Sequence, residues 1–76
     1  MRKLHDDNLL EWEVYASSGD FGLATPARIM FLCLSDRSIR PRFVEDRWDK
    51  AAAEETVVRA SDAELRELLD RSQEID

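Results

Sequence analysis

The chain is poor in nearly everything that staples or activates a small protein. Cys33 is its only cysteine and His5 its only histidine. An internal disulfide is excluded, and a structural zinc site, which wants four N or S ligands, has two soft ligands to draw on. Neither a metal nor another cofactor is therefore expected. A catalytic base is also hard to build. His5 sits in a polar terminal stretch, and a base must be held within hydrogen-bond reach of its proton. Cys33 lies among apolar neighbours, not in the electropositive, accessible setting that activates a thiol. No catalytic residues are assigned.

Long apolar runs are missing as well. The longest, residues 29–34, reads Ile-Met-Phe-Leu-Cys-Leu, far below the roughly 20 residues of a membrane span. His5-Asp6-Asp7-Asn8 stands where a signal peptide needs an apolar segment. A lone cysteine in an apolar run suits a reducing compartment, so a cytoplasmic location is expected. Glycine and proline occur twice each. Both glycines fall in Ser18-Gly19-Asp20-Phe21-Gly22, which reads as a turn closed by Pro26.

Lysine is scarce too: two against nine arginines, in a chain of formal charge -6. Adaptation to concentrated salt and a GC-rich genome both produce this composition. The charge is unevenly spread. Residues 1–26 carry two basic and five acidic groups, residues 27–47 five arginines against three acids, and residues 48–76 four basic and nine acidic groups. A weakly basic centre thus lies between two acidic flanks, and the net sign opposes nucleic acid at long range.

What is present is periodicity. In residues 9–17, Leu10, Trp12, Val14 and Ala16 alternate with Glu11, Glu13 and Tyr15, the pattern of a half-buried strand. Residues 28–34 do not alternate, which predicts a central strand buried on both faces, Leu32 included. Ser35-Asp36-Arg37-Ser38 is a turn. Residues 39–45 read as a third strand, and Pro41 inside it predicts an edge position. Asp49 is placed to cap a helix over residues 50–59, with Ala53, Val57 and Ala60 on one stripe. Ser61-Asp62-Ala63-Glu64 is a capping box opening a last helix. There Leu65, Leu68, Leu69 and Ser72 share a face, and Arg66 and Asp70 are spaced as an i,i+4 pair.

The expected fold is α+β: a three-stranded antiparallel meander followed by one or two helices on one face, in the order β-β-β-α-α. Residues 1–8 are expected to be a flexible tail and residues 9–76 a single small domain. A chain of 76 residues has little material to cover both faces of a buried central strand, and small cores are marginal without added support. A partner chain, a second copy or a larger protein, is expected on the second face. The expected function is a small, non-catalytic, cytoplasmic protein-interaction module that self-associates. The alternative is phosphate or nucleic-acid binding by the arginine-rich hairpin. The candidate surface comprises Arg37, Arg40, Arg42, Phe43, Arg47 and Trp48, with intramolecular ion pairs as the competing explanation of the arginines and Trp48 as a plug between sheet and helices.

Overall fold

The computed structural model describes residues 2–17, 27–45 and 48–75. The elements run β1 (Arg2–His5), β2 (Glu11–Ser17), β3 (Arg28–Cys33), β4 (Arg42–Glu45), α1 (Lys50–Arg59), α2 (Asp62–Asp70) and β5 (Gln73–Glu74). The strands form one antiparallel sheet of five in the order β1-β2-β3-β4-β5. The meander expected from the sequence is its centre, β2-β3-β4. The glycine turn and Pro26 lie outside the described residues.

Alternation assigns every strand two faces. Leu4, Trp12, Val14, Ile29, Phe31, Cys33 and Val44 point to one side and join Ala53, Val57, Ala60, Leu65 and Leu69 of the helices in a single core. Helix α1 packs over β2 and β3, and α2 reaches β1 and β4. Phe31, Leu4, Ile29, Leu65 and Val14 are the largest fully buried side chains, each contributing about 1.5–3 kcal/mol by leaving water.

Both helices begin where the sequence places them. Asp49 accepts from the Ala52 amide at 2.7 Å. Ser61 accepts from the Glu64 amide at 3.1 Å, and Glu64 returns a contact to the Ser61 amide at 3.3 Å. Together these satisfy amides left without partners in a first helical turn. Ser72 is buried beyond the end of α2. Arg66, however, does not take Asp70 as its partner; its Nε donates to the His5 carbonyl at 3.0 Å.

Three expectations are corrected. Arg2–His5, inside the stretch read as a flexible tail, is an edge strand. Only Leu4 there is apolar enough to signal burial, and the strand is held by its ladder with β2 and by side-chain contacts to the helices. The Arg2 guanidinium donates to the carbonyls of Val57 and Ala60 and to Asp62 at 2.8 Å, so it joins the end of α1 to the start of α2. Next, β4 is not an edge. Its residues Arg42 and Phe43 pair with Glu74 and Gln73, and Pro41 precedes the strand, its carbonyl accepting from the Ile75 amide at 2.9 Å. Finally, β3 is not buried along its whole length. Leu32 is 36% exposed, while Phe31 and Ile29 are fully buried. The unbroken apolar run hides an ordinary two-faced strand whose second face is also apolar.

The β1–β2 connection turns on Asp6. Its carboxylate accepts from the amides of Asn8 and Leu10 and from the Trp12 indole, all at 2.9 Å. The turn holds exposed Leu9 at φ 64°, a left-handed conformation costly for a residue with a Cβ. Burial acts to raise the Asp6 pKa. The hydrogen bonds from Trp12, Leu10 and Asn8 and the nearby His5 act against it and hold the carboxyl below its ordinary value of 3.8.

Candidate functional site

The helices cover one face of the sheet, and the opposite face is built from the other alternate residues. Register places Lys3 beside Glu13 and Glu13 beside Leu32. Tyr15 lies beside Met30, and Met30 beside Phe43. An apolar row Tyr15–Met30–Phe43 therefore crosses the three central strands, with Leu32 next to it on β3. Met30 is buried, Tyr15 and Phe43 are half-buried, and Leu32 is exposed. The apolar patch is rimmed by polar and charged side chains. Arg28 Nε meets Glu45 at 2.6 Å, and its guanidinium stacks 4.5 Å from the centroid of the Phe43 ring. His5 Nε2 lies 3.7 Å from Glu11.

The residues proposed from sequence do not assemble into one site. Arg42 points to the helix side, opposite Phe43. Its Nε donates to Ser72 Oγ at 2.7 Å, Nη2 donates to the Ser72 carbonyl, and Nη1 lies 3.8 Å from Glu74. Ser72 Oγ in turn donates to the Leu69 carbonyl. Arg42 is a clamp that fastens the end of α2 and β5 to β4. Arg37 and Arg40 are exposed in the β3–β4 connection and make no ion pair among the described residues. Asp36 shapes that turn by accepting from the Ser38 amide and hydroxyl, which lower its pKa. Arg47 lies outside the described residues. Trp48 packs against the core, and its carbonyl accepts from the Ala27 amide at 3.1 Å. One edge of Trp48 lines a groove of about 450 Å³ with Ala52, Glu55, Thr56, Arg59 and Glu64. Only Phe43 of the proposed set belongs to the open face.

Tyr15, Met30 and Leu32 were missing from the sequence-based surface. Their signal was available for Tyr15, on the polar side of an alternating strand. For Met30 and Leu32 it was masked by the apolar residues on either side. Among the described residues no buried side-chain nitrogen or oxygen lacks a hydrogen-bond partner. The same residues contain no cluster of three or more His, Cys, Asp or Glu side chains placed to hold a metal ion. None of their helices is long and apolar enough to cross a membrane. In comparisons with known proteins, no family model, curated protein or solved structure matches this chain.

Proposed function

We propose that this protein is a small interaction module whose contact surface is the open face of its sheet, centred on Leu32. The observation that carries the reading is the apolar row Tyr15–Met30–Phe43 with exposed Leu32 beside it, on the face opposite both helices. An apolar patch rimmed by polar groups is a recurrent mark of a protein contact site. At the rim Arg28 is already held in plane by Glu45, which suits contact with a surface that brings little net charge of its own.

A photo-crosslinking amino acid tests the reading. Placed at position 32 in living cells, it should trap a protein adduct of defined mass. Placed at position 58, an exposed site on the far side of α1, it should not. Equal trapping at both positions would contradict the proposal.

The alternative, phosphate or nucleic-acid binding by the β3–β4 hairpin, draws on exposed Arg37 and Arg40. Arg42 is engaged with Ser72 and Glu74, so among the described residues Arg37 and Arg40 remain in support. Arg42→Ala should lower unfolding stability by about 1.5–3 kcal/mol, the usual range for hydrogen bonds to a charged group. It should leave oligonucleotide retention at background. Fluorescence anisotropy showing micromolar binding that weakens steeply with salt would favour the alternative.

A further inference from the structure

We infer that the occupant of the open sheet face is a second copy of this chain, laid face to face across a two-fold axis running along β3. The inference rests on the reading of that face as a contact surface and adds the identity of what it contacts.

The first argument is charge. The ionisable side chains at the alternate positions of this face are Lys3, His5, Glu11, Glu13, Arg28 and Glu45. With His5 neutral they amount to two positive and three negative groups, -1 of a chain total of -6. The other described residues together carry -3. Two identical acidic molecules approach each other with least repulsion through this face. A strongly basic partner would be drawn instead to the acidic remainder, and an acidic one finds Arg28 already held by Glu45 at 2.6 Å.

The second argument is self-complementarity. A two-fold contact brings the same patch together on both copies. The central row is arranged for this: Met30 on β3 has an aromatic ring on each side, Tyr15 on β2 and Phe43 on β4. An axis along β3 near Met30 sets Tyr15 of each copy against Phe43 of the other, with Met30 and Leu32 meeting their own counterparts. Arg28 also lies on β3 and meets its counterpart at the rim, each neutralised by its own Glu45. Stacked sheets pack about 10 Å apart, and an axis inclined about 15° to β3 gives the usual angle of about 30° between them. The product is a sheet sandwich with both helical layers outside.

Area sets the strength. The 23 strand residues, each about 3.4 Å long on strands about 4.8 Å apart, offer roughly 350–400 Å² of flat face per copy. Side-chain relief enlarges this, yet the pair stays at the low end of specific interfaces, which bury about 1,200–2,000 Å² in total. The contact is therefore a reversible one, formed as concentration rises.

Sedimentation equilibrium over about 5–500 μM, the range in which a micromolar dimer forms and separates, tests this. The apparent mass of the wild type should rise from 8.8 kDa toward twice that value. Leu32→Glu should weaken association at least about tenfold, and Val58→Glu on α1 should leave it unchanged. Should Leu32→Glu fail to fold, isotope-filtered NOEs in a mixed-label wild-type sample decide: Met30 and Leu32 methyls should see the other copy. A wild type that stays monomeric throughout overturns the second copy. It leaves the contact face standing if position 32 still crosslinks to a protein of another mass. A dimer unaffected by Leu32→Glu, with NOEs elsewhere, overturns both.

Discussion

Phe31 and Leu32 are neighbours in the chain and opposites in the fold. Phe31 is fully buried beneath the helices, and Leu32 is 36% exposed on the open face. Their truncations should separate accordingly. Phe31→Ala removes a large side chain from a packed core and should cost about 3–5 kcal/mol, enough to unfold much of a domain this size. Leu32→Ala should cost less than about 1 kcal/mol in dilute solution, as surface changes usually do. Urea denaturation of both variants checks the pair; equal losses would place Leu32 in the core. Asp6 makes a second prediction at this scale. Its folded pKa lies below 3.8, so the unfolded chain binds its proton first on acidification. The stability it contributes is complete above that ordinary value and disappears as pH falls through 3.8 and then through the folded pKa. Asp6→Asn should therefore be least stable relative to wild type near about pH 6, and the gap should narrow toward about pH 2.5. A gap that is constant with pH would show that the Trp12, Leu10 and Asn8 contacts do not depend on the carboxylate charge.

Elements were legible where a local rule specifies them. The capping box at Ser61 and Glu64 and the cap at Asp49 depend on side chains a few residues apart, and both stand in the structure. The alternation of Trp12 and Val14 with Glu11 and Glu13 likewise placed β2 and both its faces. The two outer strands were not legible. Strand β1 has a single core side chain, Leu4, and is held by Arg2 reaching the helices and by Arg66 reaching the His5 carbonyl. Strand β5 has two residues, both exposed, and exists because the Arg42–Ser72 clamp brings the chain alongside β4. Contacts between residues 30 to 61 positions apart leave no periodic trace. The same limit separated Phe43, which lies on the open face, from Arg42, whose partner at Ser72 no local pattern announces. Where a local rule does hold, its energy can be measured. Ser61→Ala should cost about 1 kcal/mol. Ser61→Asp should be nearly neutral, since aspartate also caps and favours the positive end of the helix dipole. Thermal or urea melts that rank Ala and Asp together would contradict the role of Ser61.

At the scale of the whole molecule, the two faces of the sheet take different tasks in the proposed function. The helix-covered face holds Ile29, Phe31 and Cys33 of β3 in the core and carries the folding stability. The open face holds Met30 and Leu32 of the same strand, and association is assigned to it. Such a division makes stability depend on concentration, because a contact made only by the folded form shifts the folding equilibrium by mass action. The thermal midpoint, followed from about 5 to 500 μM for wild type and Leu32→Glu, is the most direct test. A gain of 1 kcal/mol moves the midpoint of a domain this size by about 4–8 °C. The wild-type midpoint should therefore climb by about 5 °C or more over that range. That of Leu32→Glu should stay flat, within a few degrees of the dilute wild-type value. A wild-type midpoint that does not move, or a Leu32→Glu midpoint that climbs in parallel with it, would contradict association through this face.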